Sequence, residues 1–424
     1  MTAVSDPHVW QRDQLVAVLM ALALTAGMVS GGSIAFCGIG GGLLVYGFEL
    51  ARQRRVVPLS PVVLGFGLSF IALIWLADLT ALAPDRSWDT NWRLMSIVLP
   101  LMLWFHQPAR VFIVPRWLLR IVPWVMLAVM GLLLIDFYTH GKILLPLLSR
   151  KPGHLVDYNR GLSYAAVLIW PLAYWLEQSG RLRVAAGLAA ALLVVAWCSP
   201  SRGAVLAVVM GISFWLLGRR PPRLGFVAGC ILLMIAAVGS LAIVPWLFEH
   251  HPKWLKYLPH SWQHRFEIWD YLLAWHWPSP WLGWGTDVAA IAPLSVGHQA
   301  YYKFAVAPGQ HPHHAFLQLW LELGILGWAW AVALAFYLLR QLRKMQTVQR
   351  AAGLAAWAAF LTLASGSFNL WTDSFFAVGA LALVGMQCSA VPDSASDAAA
   401  DDREGQIQAL ADGSGPVRAP NTSF

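Results

Sequence analysis

Long apolar segments alternate with short polar connections along most of this chain. A helix needs about 20 apolar residues to cross a hydrocarbon core of about 30 Å, so such segments predict membrane-spanning helices. Twelve segments fit, at residues 14–30, 32–50, 59–80, 93–106, 117–136, 161–178, 184–199, 203–218, 224–247, 314–338, 351–368 and 371–388. The pattern predicts an all-α polytopic membrane protein with about 12 transmembrane helices.

Two stretches depart from this pattern. Residues 248–312 form a long polar interruption between the ninth and tenth segments, rich in Trp, Arg and His. From residue 389 onward the chain turns to Ala, Ser, Asp and Gly, too polar to pack, which predicts disorder. We therefore expect one transmembrane domain over 1–388, including the loop 248–312, and a disordered tail over 389–424.

Composition agrees with the membrane class. The chain is 58% hydrophobic and 12% charged, whereas soluble globular proteins carry about 25% charged residues. Its four cysteines are scattered singly, so neither a zinc motif nor a disulfide framework is indicated.

The net charge of +8 does not indicate binding to nucleic acid. The distribution of the excess Lys and Arg residues instead predicts the orientation of the chain in the membrane. Excess Lys and Arg usually lie in cytoplasmic loops. Alternate connections are rich in basic residues: Arg52, Arg54 and Arg55; Arg110 and Arg116; Arg181 and Arg183; Arg219, Arg220 and Arg223; Arg340, Arg343, Lys344 and Arg350. These connections and both termini are predicted to be cytoplasmic, and the loop 248–312 lies outside. The short cytoplasmic loops leave no room for a nucleotide-binding domain, which argues against an ATP-driven pump or a transferase using a sugar nucleotide.

Three arginines fall at the predicted outer face: Arg160, Arg202 and Arg265. The planar guanidinium group matches phosphate oxygens bidentately, so converging arginines would suit a lipid-linked diphosphate. Alternatively, each side chain could extend to lipid headgroups.

His313 is the candidate general base. If Pro312 occupies a first helical turn, where proline is tolerated, His313 lies at a helix N-terminus, whose dipole disfavours the imidazolium. A neutral imidazole can accept a proton. Alternatives are a capping histidine at the interface and a metal site formed by His311, His313 and His314, although further ligands are not evident by spacing.

Four more residues are singled out. Glu322 lies about 13 Å into its apolar segment, where an ionisable group is either functional or a partner to another helix. Trp269 and its neighbours could stack on sugar rings or form an interfacial aromatic belt. Gly324 and Gly327 favour close helix packing.

Asp85 and Asp89 are the candidate acidic ligands for a metal-dependent transferase. They lie four residues apart in a short predicted loop with Pro84. We interpret them as solvated turn residues.

At this point the motifs resemble a known family. His311-Pro-His313-His314, followed after nine residues by Gly324 and then by Gly327, is similar to the signature of the O-antigen ligase and polymerase family. Ser-Arg-Gly-Ala at 201–204 and the run Arg265…Pro280…Gly283-x-Gly285 are similar too. The resemblance covers most of residues 160–388. His314 stands where the family commonly has Asn, Ser or Gln.

The resemblance implies a glycosyltransferase of the bacterial inner membrane, GT-C-like in class, with its active site on the periplasmic side. It would transfer a glycan from undecaprenyl diphosphate to a sugar hydroxyl of the lipid A–core oligosaccharide, with inversion and with neither metal nor cofactor. His313 would be the base, and Arg160, Arg202 and Arg265 would bind the diphosphate. His311, His314, Trp269 and Glu322 would support them.

Three other functions remain open. An O-antigen polymerase uses the same donor and differs in its acceptor. A protein O-oligosaccharyltransferase of the same superfamily would usually carry extra outer sequence after the last spans. A flippase or transporter for lipid-linked glycans would also need outward arginines, but it would not need a base at His313.

Overall fold

In a computed structural model, residues 7–106, 112–148, 150–151, 155–250, 256–274, 279–291, 311–367 and 369–390 are described. These residues are mostly helical. The helices are α1 Pro7–Thr25, α2 Gly31–Gln53, α3 Pro61–Ala77, α4 Pro84–Met102, α5 Arg116–Tyr138, α6 Asn159–Gln178, α7 Leu182–Cys198, α8 Arg202–Gly218, α9 Pro222–His250, α10 His260–Ala274, α11 Ala315–Leu342, α12 Thr347–Ala364 and α13 Asp373–Gln387. Each predicted segment overlaps one of these helices, and α10 lies within the predicted loop.

Short elements connect the helices. A one-turn helix spans Leu144–Leu147, and two-residue strands β1 (Ile113–Val114) and β2 (Ser389–Ala390) pair in parallel. Single 3₁₀ turns lie at Ala26–Met28, Asp78–Thr80, Leu103–Phe105, Leu155–Tyr158 and Ala289–Ile291.

The surface of the helix bundle is apolar. Large side chains such as Leu68, Trp124 and Met234 are more than half exposed, which a soluble monomer avoids over extended patches. By length and composition, five stretches could cross a membrane: Gly31–Gln53, Pro61–Thr80, Arg116–Tyr138, Pro222–Gly239 and Ala315–Leu342. The chain is therefore a polytopic membrane protein.

One helix starts earlier than the predicted segment. Helix α4 begins at Pro84 instead of residue 93, because proline suits the first helical turn and Asp85 is favourable there. Asp85 and Asp89 are exposed, as expected, but they lie on this helix and not in a loop. Ser389 and Ala390, the first two residues of the predicted tail, pair with β1, and the disorder expected of the tail stays a prediction. Residues 391–424 lie outside the described part of the chain.

Helix α6 is the centre of the bundle. Its residues from Gly161 to Leu176 are all buried, as expected for a helix that is apolar on every side. Helix α8 approaches it closely at Gly211, where an added Cβ would lie 2.4 Å from the indole of Trp170.

The connections gather at two opposite ends. Helices α8 and α12 pack antiparallel: at one end Arg350 Nε donates to the carbonyl of Gly218 (3.0 Å), and at the other Gly203 lies against Ser367. The first end holds connections from the set that is rich in Arg and Lys and predicted to be cytoplasmic. The second end holds the functional candidates.

Candidate functional site

Helix α11 is broken at Gly324, whose backbone (φ 65°, ψ −163°) is not helical. A break costs intrahelical hydrogen bonds, and within a membrane these groups need other protein partners. The segment 280–285 provides them. Trp284 N–H donates to the carbonyl of Leu321 (3.1 Å), Gly285 N–H to Glu322 (3.1 Å) and Ile325 N–H to Pro280 (2.9 Å).

The motif glycines make this docking sterically feasible. Gly283 has φ 72°, and its Cβ would lie 2.4 Å from the carbonyl carbon of Glu322. A Cβ on Gly324 would lie 2.3 Å from the carbonyl carbon of Trp281. The prediction that Gly324 is a close-packing position is confirmed, and its partner is a loop instead of another helix.

The carboxylate of Glu322 joins three segments and is fully buried. It accepts hydrogen bonds from Asp287 N–H (2.6 Å), Ala289 N–H (3.4 Å), Gln318 Nε2 (3.3 Å) and Trp371 Nε1. This places Glu322 as a brace for the loops around the site, the structural alternative considered above.

Gln318, which was not singled out in the sequence, extends this network. Its side chain donates to Asn369 Oδ1 (3.0 Å) and accepts from Leu370 N–H (3.0 Å). The sequence signal that could have identified Gln318 is its polar side chain, one helical turn before Glu322 in an otherwise apolar segment. Together the two side chains fix residues 369–371 against α11.

His314 caps helix α11. The helix begins at Ala315, and His314 Nδ1 accepts the backbone N–H of Leu317 (3.2 Å). The buried ring also packs edge-on against Trp269 at 5.1 Å, while Trp269 Nε1 donates to the carbonyl of Pro312 (2.6 Å). The assumption that Pro312 opens the helix was wrong, because the N-cap lies two residues later.

His313 thus precedes the cap and adopts φ 54°, a left-handed conformation uncommon for residues other than glycine. Its Nδ1 lies 3.3 Å from the carbonyl oxygen of Ser367. Because a carbonyl can only accept, Nδ1 carries the proton and Nε2 keeps its lone pair. His311 lies beside it, with the ring centroids 4.0 Å apart.

Both imidazoles are held neutral. Burial, followed by the electrostatic influence of His311 and the positive charge of Arg265, lowers the pKa of His313 to about 3. Burial and the charge of Arg160 lower the pKa of His311 to about 4. Burial is the largest cause of the neutrality expected for His313.

An apolar groove of about 510 Å³ runs between α8, α9, α10 and α12 and reaches His314. Its walls include Leu206, Met210, Leu232, Ile235 and Ile243, and its lining includes Arg202, Arg265 and Ser367.

The two groove arginines differ in setting. The guanidinium of Arg265 is partly buried over the ring of Trp262 at 5.5 Å, and burial lowers the pKa of Arg265. Arg202 is exposed at the rim, where it donates to the carbonyl of Trp197 (3.3 Å).

Arg160 faces a different cavity, of about 700 Å³, together with Arg93 and Arg150. A smaller polar cavity of about 220 Å³ shares Arg93 and Asn369 with it and extends to His311. The structure thus brings Arg202 and Arg265 together on one side of the histidines and places Arg160 on the other.

In the described part of the chain, no group of three or more His, Cys, Asp or Glu side chains is arranged to hold a metal ion. The lone pair of His314 Nδ1 is already engaged by Leu317. Metal independence remains a prediction.

Comparison with known proteins agrees with these features. The family model described as O-antigen ligase matches residues 186–332, which include Arg202, Arg265 and His313. A protein of Rickettsia felis, provisionally named a polysaccharide ligase, is 26% identical over 270 residues, which are 62% of this chain and 65% of that protein. A similarly named protein of Rickettsia typhi is 24% identical over 268 residues, with the same coverage. The match thus spans just under two thirds of each relative.

Proposed function

Because the chain belongs to the O-antigen ligase family, we propose that it transfers a glycan from undecaprenyl diphosphate to a sugar hydroxyl of lipid A–core oligosaccharide. The observation that carries this proposal is the neutral imidazole of His313. Its Nδ1 is engaged by the carbonyl of Ser367, which leaves Nε2 as the basic nitrogen. Its neighbours His314 and His311 line the apolar groove and the small polar cavity, respectively.

The apolar groove suits the donor. Its aliphatic walls would contact a polyprenyl chain, and Arg202 and Arg265 would hold the diphosphate through charge-assisted hydrogen bonds. Arg160, predicted as a third diphosphate ligand, faces the opposite cavity, although its charge acts on His311.

The reaction would be a single displacement. His313 Nε2 accepts the proton of the acceptor hydroxyl as its oxygen forms a bond to the anomeric carbon of the donor glycan. The bond between that carbon and the diphosphate oxygen breaks, and its electron pair leaves with undecaprenyl diphosphate. Arg202 and Arg265 would stabilise the charge developing there. Attack opposite the leaving group inverts the anomeric carbon, and no metal is required.

We further propose that all twelve predicted segments cross the bacterial inner membrane, with both termini cytoplasmic and the site periplasmic. Support comes from the two ends of the bundle. The connections rich in Arg and Lys meet at the end of Gly218 and Arg350, and the histidines lie at the opposite end.

The test is a reconstitution in nanodiscs with undecaprenyl diphosphate-linked glycan, lipid A–core and a chelator. Electrophoretic retardation of the lipid A–core by the wild type is the expected result. Elongation of the lipid-linked glycan with an unmodified core would instead identify a polymerase. Translocation of the donor across a bilayer without transfer to either acceptor would identify a flippase.

A further inference from the structure

The cavity of about 700 Å³ beside the histidines is basic, and the proposed reaction leaves its charge unexplained. Among the described residues that line it are three guanidinium groups, from Arg93, Arg150 and Arg160, and one carboxylate, Asp373. Asp373 lies in the first turn of α13, where the positive end of the helix dipole already favours its charge. Even with Arg150 left aside, because it has another interaction partner, the described lining residues Arg93 and Arg160 outnumber the one carboxylate.

Arg93 and Arg160 are exposed to this cavity. Neither side chain forms a hydrogen bond or ion pair with another residue in the described ranges. Their donor groups are therefore available to a ligand, and the guanidinium fork matches the oxygens of phosphate.

The basic cavity is separate from the donor groove, but neighbouring residues of the chain line the two. Asn159 lines the apolar groove, whereas its neighbour Arg160 lines the basic cavity. In the same way, Ser367 lines the groove and Asn369 lines the basic cavity. The small cavity that shares Asn369 extends to His311. Two substrates could thus reach the histidines from two sides.

We propose that the basic cavity binds phosphate groups carried by the acceptor glycolipid, and so orients its sugar hydroxyl toward His313. This inference rests on the proposed function, since it assumes an acceptor that meets the donor at the histidines. Substitutions of Arg93 and Arg150 can distinguish acceptor binding from donor binding, because both residues line the basic cavity and neither lines the donor groove.

The experiment compares wild type, Arg93→Gln and Arg150→Gln in phosphatidylcholine nanodiscs. Each is assayed with lipid A–core before and after chemical removal of its phosphates. We expect KM for the phosphorylated acceptor to rise roughly tenfold in each variant, the loss of one charge-assisted hydrogen bond. The donor KM and the KM for the dephosphorylated acceptor should be unchanged, and Arg93→Lys should recover part of the affinity.

Lys142→Gln is the matched control, because Lys142 is exposed near Arg150 but does not line the cavity. Equal KM changes with both acceptors would overturn the proposal. The proposal would also be overturned if the KM change depended on the fraction of phosphatidylglycerol in the nanodisc and not on the acceptor phosphates. The ligand of the cavity would then be a lipid headgroup. Absence of transfer by the wild type would instead contradict the proposed function itself.

Discussion

The Nδ1 atom of His313 lies 3.3 Å from the carbonyl oxygen of Ser367, and this contact defines which nitrogen can act as a base. The proton stays on Nδ1, so Nε2 carries the free lone pair. In the neighbouring His314 the assignment is reversed, because its Nδ1 accepts the N–H of Leu317. Two adjacent histidines thus have opposite tautomers and different roles.

The pH dependence of transfer should reveal the depressed pKa of His313. Because that pKa is about 3 in the free site, the base stays deprotonated and kcat/KM for the donor should be nearly flat between pH 8 and 5. A bound diphosphate would offset the charge of Arg265 and raise the pKa of His313, so kcat should decline at a higher pH than kcat/KM. A decline of kcat/KM centred near the ordinary histidine value of about 6.5 would contradict this.

Gly324→Ala should destabilise the protein. The substitution forces a side chain into a positive φ and within 2.3 Å of the Trp281 carbonyl carbon, at a cost of roughly 1–3 kcal/mol from backbone strain alone. We expect a lower midpoint of thermal unfolding in detergent. Gly65→Ala is the control, since its Cβ would meet nothing within 4 Å and alanine is the better helix former. Equal midpoints for the two variants would argue against the docked helix break.

Glu322→Gln should reduce both stability and kcat. One amide oxygen replaces two carboxylate oxygens that accept four hydrogen bonds, including those from Asp287 and Trp371. Each donor left unsatisfied costs about 1–3 kcal/mol, and the loops around the site lose their brace. Thermal unfolding and transfer rates should be measured beside Glu249→Gln, a control at a highly exposed carboxylate. A Glu322→Gln protein with wild-type stability would exclude the bracing role.

Sequence patterning was sufficient for the apolar helices but not for α10, which lies in the predicted polar loop. Every predicted apolar segment overlaps a helix, because the length and apolar composition that predict a membrane span also favour a helix. The motifs included Gly283, Gly285 and Gly324, but they did not predict that the three lie together or that hydrogen bonds join residues 280–285 to α11.

The division of the arginines could not be predicted. Arg160 and Asn159 are adjacent in sequence yet line different cavities, which depends on the rotation of α6 against its neighbours. Arg93 and Arg150 carry no local signal, since they meet only through tertiary packing. The role of His314 also required the helix start, since the helix begins at Ala315, three residues after the assumed Pro312. Its imidazole takes the place of the Asn or Ser that usually caps helices.

The most direct test of the central claim makes the same substitution at the two adjacent histidines. Asparagine tolerates the left-handed backbone of residue 313 and cannot act as a base; at residue 314 it is a good N-cap. We predict that His313→Asn lowers kcat for transfer to lipid A–core by roughly 10²–10⁴-fold while donor binding and thermal stability persist. His314→Asn should remain within a few-fold of wild type. Wild-type turnover by His313→Asn, or loss of transfer confined to a folded His314→Asn protein, would contradict the assignment of His313 as the base.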